Sequence, residues 1–502
     1  MGNVLGFDVG TSSSKGVLVD RSGRILATAS HRHQVARPEP GRVEMDPAIW
    51  WTEFCEVAAE LVARSGSADV VAIGVSGMGP CIALVDAEGE PVAPSALYGV
   101  DMRALDQIHA LNAELGEERV FERTDSRLTT QAGGPKFRWF AERMPDAFAR
   151  ATRFHTPASL LVERLTGEYV LDRQSASQMT PLYDAATQDW AADWWQRIAR
   201  HIEPPRLGWA GDHAGVVTSA AASETGLPEG VPVTVGTIDA WAEGASAGAL
   251  RDGDLMLMYG TTMFMVANAG RRMRHPSMWG TTGLVGGQWN LAGGMATSGA
   301  ITDWLRELYG GPDFATLVAE AEESGPAARG LLMLPYFSGE RTPIQDPDAR
   351  GVICGLTISH TRGDLYRAAL EATAFAVRHN LEAMTEAGVR PARVVAVGGG
   401  ATSPLWPQIV TDVTGLPQVI PTHTIGAALG DAWFAARLLD PSVDISDWNP
   451  PAVTLRPRPG LGYDELYGWY RDLYDSTRHV QHGLAARNRA TEAARGAEPQ
   501  GP

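Results

Sequence analysis

The chain has 502 residues, 44% of them hydrophobic and 20% charged, and carries a formal charge of −17 from 42 basic and 59 acidic side chains. That length exceeds one comfortable hydrophobic core and predicts two domains of similar size with a ligand cleft between them. The acidic balance, without any Lys/Arg-rich run, excludes nucleic acid and anionic membrane as expected partners, and no apolar run is long enough to span a bilayer. Cys55, Cys81 and Cys354 are too scattered for a disulfide framework or a zinc cluster, and Met1 leads directly into Val4-Leu5-Gly6-Phe7 without a secretory leader. The expected location is therefore the cytoplasm.

In chain order, Val4 to Gly10 reads as a buried strand and Lys15 to Asp20 as its return, joined by the polar turn Thr11-Ser12-Ser13-Ser14. Ile25 to His33 continues the meander. A helix follows, with Asp46 at the N-cap, Pro47 at the first helical position, and Trp50, Phe54, Ala58 and Leu61 spaced along one buried face. Gly66 ends it, and Val70 to Val75 is a short apolar strand. About 250 residues after the start the opening pattern returns: Leu255 to Tyr259, the turn Gly260-Thr261-Thr262, and a return strand Met263 to Ala267, which predicts a structural duplication. The polar turn Leu250 to Gly253 is the expected boundary. Arg362 to Met384 reads as a long helix, Val394 to Val397 as a buried strand, and Tyr463 to Tyr474 as part of a closing amphipathic helix. The expected domains are 1–250 and 251–445, then a helical extension over 446–485 and an Ala/Arg/Glu/Pro-rich disordered tail over 486–502.

Three segments carry candidate chemistry. In the first turn, Gly10 lets the backbone come close, Thr11, Ser12 and Lys15 could cradle phosphate oxygens, and Asp8 could face a Mg²⁺ hydration shell. Small polar residues also build ordinary hairpin turns. The second turn, Gly260-Thr261-Thr262, could hold the other side of a triphosphate. Gly398-Gly399-Gly400, between a strand and a helix, either admits a nucleotide or makes a tight connection. The Gly-x4-Gly-Lys-Ser/Thr loop is absent, Ser403 breaks any Gly-x-Gly-x-x-Gly fingerprint, and Gly74-Val75-Ser76-Gly77-Met78 misses a hydrolase elbow at its last residue. Asp239 ends the apolar run from Val233, where it could accept a proton from an attacking hydroxyl or cap the next helix.

Seven segments in order resemble the FGGY carbohydrate kinases, the family of xylulose, ribulose, glycerol and gluconate kinases. They are Gly6 to Ser12, Asp101-Met102-Arg103, Gly236 to Asp239, Tyr259 to Thr262, Ser338 to Pro343, Ala349 to Leu356, and Gly398 to Ala401. The resemblance implies an α/β fold of two actin-like, ribonuclease H-like domains that close over a nucleotide and a sugar, with ATP and Mg²⁺ as cofactors. By it, Asp239 falls on the catalytic base and Asp8 on the acidic residue near the metal. Thr11, Ser12, Gly260 and Thr261 fall on phosphate turns, Gly299 and Asp303 on a nucleotide-side stretch, and Gly399, Gly400 and Ala401 on the adenosine segment. Met78, Gly79, Asp101, Arg103 and Trp241 fall on the sugar side. The expected partner is a small sugar, with a homodimer as an allowed assembly.

Departures bear on the sugar. Where xylulose kinases commonly carry Gly-Gln-Met-His-Gly, this chain has Gly77-Met78-Gly79-Pro80-Cys81, so the pocket must differ there. Asp239-Ala240-Trp241 is closer to the Asp-Ala-His of ribulose kinases than to the Asp-Asn of xylulose kinases. Pentuloses lead, with polyols and aldonates behind. The rivals are an actin-like ATPase without a sugar site, which should lack the Asp101/Arg103 and Ser338 to Pro343 segments, and a dinucleotide oxidoreductase, which the missing fingerprint disfavours.

Overall fold

The computed structural model describes residues 2–66 and 69–496. The chain forms two compact units: one comprises Met1–Asp252, Asn268–Asn290 and Ile425–Pro450, and the other Gly253–Ala267, Leu291–Thr424 and Pro451–Pro502. The first break falls in the turn read from sequence. The chain then revisits the first unit twice, which a linear split at residues 250 and 445 does not anticipate.

In the first unit the sheet runs in the order His213–Val216, Pro232–Thr234, Val70–Gly77, Asn3–Val9, Ser13–Val19, Ile25–Arg32. Asn3–Val9 pairs antiparallel with its return strand and parallel with Val70–Gly77, with Asp8 opposite Ser76. The short strand Thr237–Ile238 joins Val70–Gly77 on its other edge, with Thr237 opposite Ser76. Register therefore brings Asp8, Ser76 and the approach to Asp239 to one end of the sheet. The helix Ala48–Ser65 buries Trp50, Phe54, Ala58 and Leu61, and Gly66 closes it at φ 66°. It starts one residue later than expected, with Pro47 at the cap, while Asp46 Oδ1 still accepts the Ala48 N–H at 3.0 Å.

The helix Ala427–Leu439 explains why 425–450 belongs to the first unit. It lies against Asn3–Val9 and Val70–Gly77 so closely that a Cβ on Gly6 would sit 1.9 Å from the Ala428 carbonyl oxygen, and one on Gly74 2.0 Å from that of Asp431. Glycine at both strand positions makes this approach possible.

The second unit repeats the plan. Asp254–Tyr259 pairs antiparallel with Met263–Ala269 and parallel with Arg393–Val397, as the opening strands do in the first unit. Gln418–Pro421 and Pro451–Leu455 extend the sheet. Arg362–Glu386 is a buried helix begun by a reciprocal Thr361/Asp364 cap. The closing helix is Tyr463–Gly496, docked by the Tyr470 and Tyr336 hydroxyls at 2.6 Å and by Tyr463 on Glu371 and Arg367. Residues 486–496, expected to be disordered, are thus helical. Ala, Arg and Glu are strong helix formers, and extending a helix already nucleated costs little. The rest of the expected tail, 497–502, lies outside the described residues.

Candidate active site

In the first unit, a strand end and a helix bring two carboxyl groups to one hydroxyl, and the charge of Asp239 acts on both of them. Ser76 Oγ lies 3.2 Å from Asp8 Oδ1 and 2.6 Å from Asp431 Oδ2. A hydroxyl has one hydrogen to give, so it donates to one carboxylate and accepts from a protonated partner at the other. Burial raises Asp431 well above the usual carboxylate range, and the charges of Asp8 and Asp239 push the same way. Burial thus favours the arrangement in which Asp431 carries that proton and Ser76 donates to Asp8.

Asp8 is pushed up to about 8, by burial first and then by the charge of Asp239, with Lys15 and Ser76 pulling down. Asp239 rises to about 6, again through burial, held back by the Ala240 N–H and by Lys15. The two titrate as a pair. Asp239 is the first residue of the helix Asp239–Ser246, half-buried, with Oδ1 accepting the Ala240 N–H at 2.7 Å. It both ends a strand and begins a helix, so the two readings of its position meet in one residue.

The first turn is closed by the Gly10 N–H on the Ser13 carbonyl at 3.1 Å. Thr11 Oγ1 meets the Tyr98 hydroxyl at 2.9 Å, while Ser12 and Lys15 are exposed. Behind it, His33 bonds Gly10 O through Nε2 and Glu53 through Nδ1, both at 2.9 Å. Nothing in the sequence pattern marked His33 or Glu53, and Ser76 stood out only as the serine of an incomplete hydrolase elbow. Asp431 could have been found, as the one charged residue in Ala427 to Ala436, a run of small and apolar side chains.

The sugar-side residues fare differently. Met78 is buried, Gly79 packs on Ile238, the residue before Asp239, and Trp241 is buried with Nε1 donating to Asn290 Oδ1 at 2.9 Å. Asp101 is buried, the Arg103 side chain is almost fully covered, and the two are paired with each other. The Asp101 carboxylate accepts Arg103 Nε and the Val43 N–H, and Arg103 Nη2 reaches Glu44 at 2.9 Å while its guanidinium covers Trp139. Asp101 and Arg103, expected on the sugar side, are placed by this geometry in an ion pair with each other and with Glu44.

In the second unit a cavity of about 360 Å³ opens beside the second turn. Of the residues expected on the nucleotide side, Gly260, Thr261, Gly299, Asp303, Gly399 and Gly400 line it; Thr262 and Ala401 do not, and Ala401 is buried. The Gly299 N–H donates to Gly260 O at 3.0 Å, and Ser298 and Ala300 donate to Thr261 O, so the helix Gly299–Leu308 starts directly from the turn. Phe314, Val318, Leu370 and Trp406 supply an apolar wall. The size suits one planar heterocycle with its sugar.

Two related α/β units, one carrying carboxyl groups at its strand ends and the other an apolar pocket beside a glycine-threonine turn, define a phosphotransferase of actin-like architecture. Residues 3–243 match the N-terminal domain and 255–439 the C-terminal domain of the FGGY family of carbohydrate kinases, and the chain belongs to that family. It is 29% identical to the xylulose kinase of Escherichia coli (strain K12), over 89% of this chain and 92% of that one. It is 31% identical to the glycerol kinase of Nocardia farcinica, over 86% and 89%. Among solved structures, the xylulose kinase from Rhodospirillum rubrum superposes with a TM-score of 0.89 at 33% identity, covering 96% of this chain and all of that one. The protein is an ATP-dependent carbohydrate kinase with a small sugar as its acceptor, and no helix among the described residues is long and apolar enough to cross a membrane.

Proposed function

We propose that this kinase phosphorylates a pentulose, xylulose first, with Asp239 as the general base. One observation carries the reading: Asp239 is a half-buried carboxylate, fixed by the Ala240 N–H, whose proton affinity is raised to about 6. A base of that strength is mostly ionised at neutral pH and still takes a proton readily. It orients the acceptor hydroxyl and removes its proton as the γ-phosphate is transferred in line. Thr11, Ser12, Lys15, Gly260 and Thr261 bind phosphate oxygens, and Gly299, Asp303, Gly399 and Gly400 hold the nucleoside. With a loose transition state, positioning and charge stabilisation supply most of the catalysis.

Mg²⁺ fits this donor set. It keeps several waters and usually takes one or two carboxylates plus phosphate oxygens, and Asp8, kept next to Ser76 at the strand end, provides one. When bound it would neutralise charge on the phosphates.

The pentulose reading is supported by the xylulose kinase relatives; the Met78-Gly79-Pro80 departure keeps ribulose, erythritol, glycerol and gluconate as competitors. A coupled ADP-release assay across these five acceptors tests it. Xylulose should give the highest kcat/KM; a higher value for glycerol or gluconate contradicts the assignment. A cytoplasmic location and a homodimer complete the proposal, the latter checked by sedimentation.

A further inference from the structure

The short helix Arg173–Ser177 stands beside the strand that delivers Asp239. Asp172 caps it, with Oδ2 accepting the Ser175 N–H at 3.1 Å and the Thr237 hydroxyl at 2.8 Å. At its far end is Gln178, more than nine-tenths buried. Its Oε1 accepts from Gln131 Nε2 at 3.2 Å, and its own Nε2 is buried without a hydrogen-bond partner.

The orientation of these two amides follows from backbone atoms whose identity is fixed. Gln131 Oε1 accepts the Gly99 N–H at 3.0 Å, so the other end of that carboxamide is nitrogen, and it donates to Gly79 O at 3.2 Å. The same nitrogen gives its second hydrogen to Gln178. Turning Gln178 over would set two NH₂ groups against each other, so Gln178 presents oxygen to Gln131 and nitrogen to its other side. Gln131 has no hydrogen left to give, whereas Gln178 keeps a complete, unspent NH₂. A buried donor left unpaired costs about 1–3 kcal/mol, which is why such groups generally have a partner in the working state.

The place of this donor is informative. Gly79, bonded to Gln131, packs on Ile238 so tightly that a Cβ there would lie 2.7 Å from Ile238 Cγ1, and Asp239 is the next residue. One turn before Gln178, the Gln174 Nε2 is also buried and unpartnered, as is the hydroxyl of Thr281, on the strand whose Thr282 N–H donates to Ser177 Oγ. Unspent hydrogen-bonding groups thus collect around the short helix Arg173–Ser177, which packs beside the strand Thr237–Ile238 leading into Asp239.

We propose that Gln178 is a specificity-determining residue, its carboxamide NH₂ donating to an oxygen of the acceptor sugar, with Gln131 as the positioning residue that aims it. This rests on the sugar-kinase reading of Asp239 and deepens it: the chain selects polyhydroxy acceptors with an oxygen within reach of that nitrogen. A site built to donate to an oxygen discriminates strongly against an analogue that lacks it.

The test compares wild type, Gln178→Met and Gln131→Met on the best acceptor and its singly deoxygenated analogues. Gln178→Met should raise the sugar KM at least about tenfold, the cost of one lost hydrogen bond in a desolvated pocket, and leave the ATP KM and the thermal midpoint unchanged. Wild type should reject one deoxy analogue far more than the others, and that single preference should collapse in Gln178→Met. Gln131→Met should give a smaller rise in the same KM. A folded Gln178→Met with wild-type sugar KM, or an equal loss for every analogue, overturns the proposal. If the variants do not fold, a sugar-bound crystal structure of the wild type decides: a sugar oxygen about 3 Å from Gln178 Nε2 is expected, and a sugar bound without touching it overturns the assignment. A wild type that phosphorylates no sugar at all sinks the proposed function and this inference together, whereas an active wild type with unaffected variants removes Gln178 alone.

Discussion

The two units share a plan, strand, turn, return strand and a parallel neighbour, yet they use glycine and charge in opposite ways. In the first, Gly6 and Gly74 let a helix press onto the sheet and bring Asp431 under Ser76, so a buried carboxyl cluster is built by close packing. In the second, Gly399 meets nothing within 4 Å of an added Cβ and borders an open apolar pocket. One duplicated framework thus gives an electrostatic site where it is tight and a nucleotide-sized cavity where it is open.

The contrast can be broken most forcefully at Gly6. Gly6→Ala puts a methyl group 1.9 Å from a backbone oxygen, and backbone cannot step aside cheaply. A loss of about 3 kcal/mol or failure to fold is expected in denaturant titration, at the upper end of overpacking costs. A variant as stable as wild type would show that the helix Ala427–Leu439 is not held as described.

Next in size is the pH response. With Asp239 raised to about 6, kcat/KM should fall roughly tenfold per unit as pH drops below that value, because the base is then protonated. Stability runs the other way. Asp8, Asp239 and Asp431 all bind protons more tightly folded than unfolded, so their contribution is greatest below the ordinary carboxylate value of 3.8 and is lost as pH rises through about 6 and about 8. The melting temperature of the ligand-free protein should fall between pH 5 and pH 8 on this account. Asp431→Asn removes the need to take up a proton there, so it should raise the midpoint more at pH 8 than at pH 5, by about 2–4 °C per kcal/mol. An equal rise at both values would show that Asp431 is not the proton carrier.

The smallest effect sharpens the other side. Gly399→Ala should change folding stability by no more than about 0.5 kcal/mol, as at a position with free space. It should still raise the ATP KM several-fold and leave the sugar KM alone. A rise in the sugar KM would take Gly399 out of the nucleotide pocket.

Much of this was legible in the sequence because it is local. Turn chemistry gave both hairpins, and strand-end position together with ordered segments gave Asp8, Asp239 and the turn at Gly260. What escaped depends on distant parts of the chain. Ser76 and Asp431 are 355 residues apart, and only the packing of one helix on one strand joins them. Gln131 and Gln178 are ordinary surface residue types by composition; their pairing appears only when three loops meet. Val43 and Glu44, which satisfy Asp101 and Arg103, lie 58 and 59 residues away in the chain, so no local pattern joins them.

The central claim is that one carboxylate does the proton work. The direct test is Asp239→Asn, followed by sugar-dependent ADP release beside nucleotide affinity. The account predicts a kcat lower by about 10² to 10⁴ with the ATP dissociation constant and melting temperature held near wild type. Turnover within a few-fold of wild type would contradict it.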